Sequence, residues 1–152
     1  MSIERFSERL NDLMRSERIS RRALSLKTGL QRKSILNWLE GKYYPRYDAL
    51  ITLADFFRVS ADYLAGISKS NESKIVVGKT PVEEVPARFL KILNKYMEIE
   101  GYTKYKLAKL LGMGQTTLNR WFERGSMPET STLIKLSVLM KEPLDYLLSR
   151  EY

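Results

Sequence analysis

An internal repeat constrains the fold of this chain more than any other feature. When the sequence is shifted by 83 residues, residues 6–64 lie over residues 89–147 without a gap, with 16 identities in 59 positions. The identical residues are mostly apolar or turn-forming, such as Gly29/Gly112, Trp38/Trp121 and Pro45/Pro128. A register of this length predicts that one small structural unit occurs twice.

Each copy is predicted to form five helices. Apolar residues at helical spacing place the first helix over about residues 3–16. Ser20 and Gly29 are typical N-cap and C-cap residues for a second helix, and Thr103 and Gly112 are their counterparts. The third helix ends before Pro45, and a fourth and a short fifth helix follow over about residues 48–57 and 60–65. No segment shows sustained period-2 alternation, so the predicted class is all-α.

The segment between the copies is polar and rich in Gly, Ser and Pro, which predicts a linker at residues 68–85 between domains 1–67 and 86–152. Ile75–Val77 is expected to be a brief extended stretch. Thr80–Glu83 fits a capping box with Pro81 at the first helical position, which predicts an extra turn before the second copy. Fully extended, the roughly 21 residues from 66 to 86 reach at most about 70 Å.

Cysteine and histidine are both absent from the 152 residues. Their absence removes thiol and Ser-His-Asp nucleophiles and the commonest transition-metal ligands. No P-loop, dinucleotide fingerprint or metal-ligand cluster occurs either. We therefore expect no catalytic residue, no bound metal, no cofactor and no small-molecule ligand.

The net charge of +8 favours a polyanionic partner. No apolar run approaches a membrane span, and the first ten residues carry charges where a secretory signal would be apolar, so we expect a cytoplasmic protein. The basic residues are distributed unevenly between the two copies. Residues 18–46 hold eight basic residues against Glu40, whereas residues 101–129 hold five against two acids. Copy one is thus predicted to contribute more phosphate binding.

The third helix of each copy has one apolar face and one polar face. In copy two, Leu118, Trp121 and Phe122 form the predicted buried face. The opposite face then carries the predicted base-reading residues Gln115, Thr116, Asn119 and Arg120. Gln and Asn pair with adenine, and Arg pairs with guanine. A merely solvated polar face remains the alternative.

In copy one, Ile35, Trp38 and Leu39 are predicted to be buried. The corresponding predicted reading residues are Arg32, Lys33, Leu36 and Asn37. An exposed Leu36 fits a thymine methyl or a protein contact equally well. The predicted DNA-binding set also includes Arg21, Arg22, Lys42, Tyr43, Arg46 and Lys104. Tyr44 and Tyr47 also lie near the end of the third helix, whereas Tyr63 and Tyr146 are expected to be core residues.

Residues 19–45 and 102–128 resemble the helix-turn-helix of the phage repressor/Cro-like family, also called XRE regulators. Leu107-Ala108 followed by Gly112, a Thr-rich start of the third helix and Arg-Trp near its end give the layout typical of that family. The chain departs from it at Glu40 and Glu123, which lie one residue later than usual, and at Gly125, which is shifted by one against Gly41.

The resemblance implies two tandem five-helix lambda-repressor-like domains and a sequence-specific, double-stranded DNA-binding transcriptional regulator, by analogy a prokaryotic or phage repressor. The two domains would act on half-sites about 34 Å apart. In the alternative, one domain binds DNA and the other serves as a homodimerisation or protein-partner module, including an antitoxin-type regulator.

Overall fold

A computed structural model describes residues 3–69 and 80–150 of the chain. These residues divide into two compact units, one ending at Thr80 and the other formed by Pro81–Arg150. The first unit contains α1 (Ile3–Ser16), α2 (Arg21–Thr28), α3 (Arg32–Leu39), α4 (Tyr47–Phe57) and α5 (Ala61–Ala65). The second contains a 3-10 turn (Val82–Glu84), α6 (Val85–Glu100), α7 (Lys104–Leu111), α8 (Gln115–Arg124), α9 (Thr130–Met140) and α10 (Leu144–Leu147). All regular structure in the described ranges is helical, so the all-α, twice-five-helix prediction is confirmed.

The second helix of each unit begins and ends at the predicted caps. The Ser20 hydroxyl accepts a hydrogen bond from the N–H of Ala23, and the Thr103 hydroxyl accepts one from the N–H of Lys106. Each bond satisfies one of the N–H groups that the first turn of a helix leaves without a partner. Gly29 closes α2 in the left-handed conformation. Gly112 closes α7 in the same conformation.

The two units have the same core, residue by residue. The aromatic and aliphatic side chains of the first, second and third helices are shielded from solvent at equivalent positions in both. These pairs are Phe6/Phe89, Leu10/Leu93, Leu24/Leu107, Ile35/Leu118 and Trp38/Trp121. Burying a large apolar side chain stabilises a fold by about 1.5–3 kcal/mol. The shared residues of the repeat are therefore the ones that hold each unit together.

The segment between the units differs from its prediction at Thr80. Thr80 does not cap a helix. Its N–H and its hydroxyl donate to the two carboxylate oxygens of Asp55, at 3.1 and 3.2 Å. The extra turn is a 3-10 turn without a side-chain cap, and Val85, predicted as the last linker residue, begins α6. The predicted extended stretch at Ile75–Val77 lies outside the described residues.

The prediction that Tyr146 is a core residue is wrong. Its side chain is 45% exposed rather than buried. Its counterpart Tyr63 is half-buried because the guanidinium of Arg9 lies over its ring, 4.3 Å from the centroid. Position 92 of the second unit carries isoleucine where the first unit carries Arg9, so the same cover is not formed there.

Across residues 3–69 and 80–150, no helix combines the length and the hydropathy that a membrane crossing needs.

Candidate nucleic-acid interface

A three-residue turn joins the second and third helices of each unit. The turns are residues 29–31 and 112–114, and each opens on a glycine with a positive φ, 79° at Gly29 and 66° at Gly112. Only glycine adopts this conformation at little steric cost. In both units the second helix packs against the third across the turn. This is the geometry with which a helix-turn-helix presents its second helix to the major groove.

Helix α8 buries one face and exposes the other. Leu118 and Trp121 are 0% and 3% exposed and anchor the helix to its own unit. On the opposite side, the structure exposes Gln115, Thr116 and Arg120. These three predicted reading residues therefore share a solvent-facing surface.

Asn119 lies at the border between the two faces of α8. It is half-buried, and its Oδ1 atom is shielded from solvent without a hydrogen-bond partner among the described residues. A shielded polar atom without a partner costs about 1–3 kcal/mol. A donor from outside the unit, such as the amino group of a base, would satisfy it if the side chain turned outward.

Helix α3 presents the equivalent surface of the first unit. Arg32 and Lys33 are exposed on its first turn, whereas Leu36 and Asn37 are half-buried. The amide nitrogen Nδ2 of Asn37 donates to the hydroxyl of Tyr43, at 2.9 Å. This bond uses one of the two N–H groups of the amide and leaves the other and the carbonyl oxygen for a ligand. Leu39, predicted to be buried, is also only half-buried.

The predicted phosphate-binding side chains of the first unit flank α3. Arg21 and Arg22 are exposed on the first turn of α2. Lys42 pairs with Glu40 at 3.1 Å, and Arg46 lies 3.9 Å from a carboxylate oxygen of Asp48. Both pairs are well exposed to solvent. Exposed ion pairs contribute only about 0–1 kcal/mol, so a phosphate can compete with either carboxylate.

Lys104, the first residue of α7, lies over the ring of Phe122, with its ammonium 4.6 Å from the ring centroid. The contact connects the start of α7 with α8. It also explains why Phe122, predicted to be buried, is only half-buried: one side of its ring is covered by a lysine rather than by the core. The lysine itself remains exposed.

The three tyrosines beyond α3 have different environments. Tyr43 is 46% exposed, whereas the ring of Tyr44 packs at 5.6 Å from that of Phe6. Burial raises the pKa of Tyr44, and burial together with Asp48 raises the pKa of Tyr47. Both hydroxyls therefore remain protonated at neutral pH and keep a hydrogen to donate.

Comparison with known proteins agrees with this geometry. The helix-turn-helix family matches two segments of the chain, residues 2–64 and 93–147. The chain belongs to the Cro/C1-type helix-turn-helix family. The protein is accordingly a DNA-binding helix-turn-helix regulator, and the two matched segments correspond to the two copies of the repeat. No curated protein and no solved structure matches it.

In this Cro/C1-type regulator, the third helices differ in length although they start at equivalent positions. Helix α3 has 8 residues and α8 has 10, because α8 continues to Arg124 before Gly125. The shift of Gly125 against Gly41 indicated a change in this region. The predicted set omits Thr117, which is exposed on α8, and the bond between Asn37 and Tyr43. Thr117 lies four residues before the buried Trp121, so helical spacing does not predict its exposure. The bond has no local sequence signal either.

Proposed function

We propose that this regulator reads double-stranded DNA with both α3 and α8, and that it acts as a transcriptional repressor in the cytoplasm. The observation that carries the proposal is the pair of glycine-opened turns. Each one sets a helix against its own unit through a buried tryptophan and leaves the polar side of that helix exposed. Repression requires only that the bound chain occlude the promoter.

The proposed roles follow the chemistry of each side chain. Arg32, Asn37, Gln115 and Arg120 would contact base edges, because a bidentate pair discriminates against the wrong base by about 1–3 kcal/mol. The basic side chains around α3 would contact phosphates, which add affinity without sequence information.

The test is selection of bound duplexes from a random pool by three proteins. These are the native chain, the Gln115→Ala/Asn119→Ala variant and the Arg32→Ala/Asn37→Ala variant. We expect each variant to lose preference at a different part of the selected motif and to bind the native site about 10- to 100-fold more weakly. The motif also reports the half-site spacing. An unchanged motif with both variants would contradict the proposed reading faces.

A second candidate function gives DNA binding to one unit only, with the other serving as a dimerisation or partner module, including that of an antitoxin-type regulator. The half-buried Leu36 of α3 and the shift of Gly125 against Gly41 motivate it. In that case only one of the two variants loses specific binding, and the selected motif contains a single half-site.

Tyr43 offers a finer test of how α3 works. The Tyr43 hydroxyl accepts a hydrogen bond from the side-chain amide of Asn37, and the Tyr43→Phe change removes this bond. The amide is then no longer held in place, so specific binding should weaken about 3- to 10-fold, which corresponds to the loss of one neutral hydrogen bond. The salt dependence of binding should stay the same, since no charge is removed. The control is Tyr43→Phe in an Asn37→Ala background. There the change should have little effect if Tyr43 acts through Asn37.

A further inference from the structure

The segment that follows α5 is attached to the first unit at both of its ends. Where it leaves α5, the backbone N–H groups of Ile67 and Ser68 donate to the carbonyl oxygen of Asp62, at 2.8 and 3.1 Å. At its other end, the N–H and the hydroxyl of Thr80 donate to the carboxylate of Asp55 on α4. The chain between these two points therefore starts and ends on the same unit.

The contact between Thr80 and Asp55, which we call the Thr80 anchor, has the geometry of a firm attachment. The N–H of Thr80 donates to Oδ2 of the carboxylate and the hydroxyl donates to Oδ1, so both oxygens are used and the orientation is fixed. Thr80 is only 5% exposed, and Asp55 is half-buried. Hydrogen bonds to an ionised carboxylate are about twice as strong as neutral ones, and shielding from water keeps them so.

The repeat shows that the fold of a unit does not require an acid at the position of Asp55. Its counterpart on α9 is Val138, which is 60% exposed. Asp55 also lies in the last turn of α4, where the helix dipole disfavours a negative charge. The carboxylate occurs in the unit that also contains Thr80, which indicates that its role is to hold Thr80.

The anchor leaves a short stretch of chain before the second unit. Val85 begins α6 and is fully buried, so the four residues 81–84 separate it from Thr80. Three of these four form the 3-10 turn, which is closed by a bond from the N–H of Glu84 to the carbonyl oxygen of Pro81. Even fully extended, the chain from Thr80 to Val85 spans at most about 18 Å, compared with about 70 Å for a free segment from 66 to 86.

We propose that the Thr80 anchor makes residues 81–84 the whole tether between the two units and thereby sets the separation of the two half-sites that the chain accepts. This inference rests on the proposed function, in which both units read DNA. Asp55 and Thr80 are positioning residues in this role, and neither belongs to the reading faces of α3 and α8.

The physical reason is the effective concentration of the second unit once the first is bound. A tether that matches the distance between two sites raises this concentration, and one that cannot span the distance reduces it almost to zero. Each added base pair moves a half-site by about 3.4 Å and rotates it by about 35° around the duplex. A short tether therefore selects a narrow range of separations, whereas a long free one accepts many.

The test measures binding of the full chain to duplexes that carry the two selected half-sites at separations differing by single base pairs, and to a duplex with one half-site. The native chain should prefer one separation. Its affinity should fall about 100-fold, close to that for one half-site, when the separation changes by five base pairs.

The Asp55→Val variant introduces the residue that the second unit carries at this position. It should bind all separations within about 10-fold of one another, because the longer segment then acts as a flexible tether. Its affinity for one half-site should stay the same, whereas a variant that failed to fold would lose that affinity too. The matched control is Asp12→Val, which removes the same charge from an exposed position of α1 and should keep the native preference.

A second pair of variants inserts the same four residues, Gly-Ser-Gly-Ser, on either side of the anchor. Between Thr80 and Pro81 the insert lengthens the tether and should widen the range of accepted separations, as Asp55→Val does. Between residues 72 and 73 it should leave the range unchanged, because the anchor holds Thr80 on the first unit whatever the length of the preceding chain.

The outcomes separate this inference from the proposed function. If both inserts widen the range equally, or if Asp55→Val keeps the native preference, the anchor does not set the separation. A native chain that binds two half-sites more tightly than one but accepts every separation overturns the inference alone. If the native chain binds one half-site as tightly as any pair, the reading of DNA by both units is wrong, and this inference fails with it.

Discussion

Replacing Arg150 with methionine should destabilise the second unit by about 3–5 kcal/mol, the usual cost of removing one partner of a buried ion pair. The Arg150 side chain donates to the carboxylate of Asp145 at 2.5 Å, and both side chains are fully shielded from solvent. The backbone N–H of Arg150 also donates to the carbonyl oxygen of Asp145. Methionine fills a similar volume but removes the guanidinium that this carboxylate contacts.

The expected loss is large relative to the free energy of unfolding of the unit. A unit of about 70 residues is stable by roughly 4–10 kcal/mol, so this one change should bring it close to unfolding. The measurement is urea denaturation of the full chain in a Trp38→Phe background. Trp121 is then the sole tryptophan, so its fluorescence reports the second unit.

Two controls separate the lost pairing from a general effect. The double change Asp145→Leu/Arg150→Met removes both charges and should recover most of the stability, since apolar replacements of buried pairs are often neutral or stabilising. In the first unit, Asp62 is the counterpart of Asp145 but is only half-buried, and Ile67 stands where Arg150 does. Asp62→Asn, measured by the fluorescence of Trp38 in a Trp121→Phe background, should therefore cost less. If Arg150→Met and the double variant were equally unstable, the pair would not explain the loss.

The ion pair illustrates what could not be predicted from the sequence. Ser20, Gly29, Thr103 and Gly112 were predictable because a cap depends on a few neighbouring residues. The buried tryptophans followed from helical periodicity and the repeat. Arg150, by contrast, carried no local signal, since a basic residue near the end of a helical segment is usually exposed.

Likewise, only some features of the candidate interface could be predicted from the sequence. The exposed sides of α3 and α8 follow from the positions of Trp38 and Trp121, because a helix with a buried stripe exposes the opposite face. The link from Asn37 to Tyr43 and the shielded oxygen of Asn119 depend on how side chains beyond the helix are placed. One difference between the two copies can be inferred from the sequence alone. Isoleucine stands at position 92 in place of Arg9, so the ring of Tyr146 lacks the cover that Tyr63 has.

Grafting the reading residues of copy two onto copy one should change the DNA site that the chain prefers. The graft replaces four residues of α3 with their counterparts of α8: Arg32→Gln, Lys33→Thr, Leu36→Asn and Asn37→Arg. Both helices start at equivalent positions and bury a tryptophan at the same place, so the new side chains should occupy equivalent positions. The native chain should prefer two different half-sites, and the grafted chain two identical ones.

The expected change in preference between the two kinds of site is about 100-fold or more, because each mismatched base pair costs about 1–3 kcal/mol and well-separated positions add. It is measured by competition between the native motif and a duplex carrying the copy-two half-site twice. The control graft is Leu26→Lys/Lys27→Leu, which moves copy-two residues onto exposed positions of α2 and should leave the base preference unchanged. A grafted chain that still prefers the native motif would show that α3 does not read bases, and the specificity would then reside in the second unit alone.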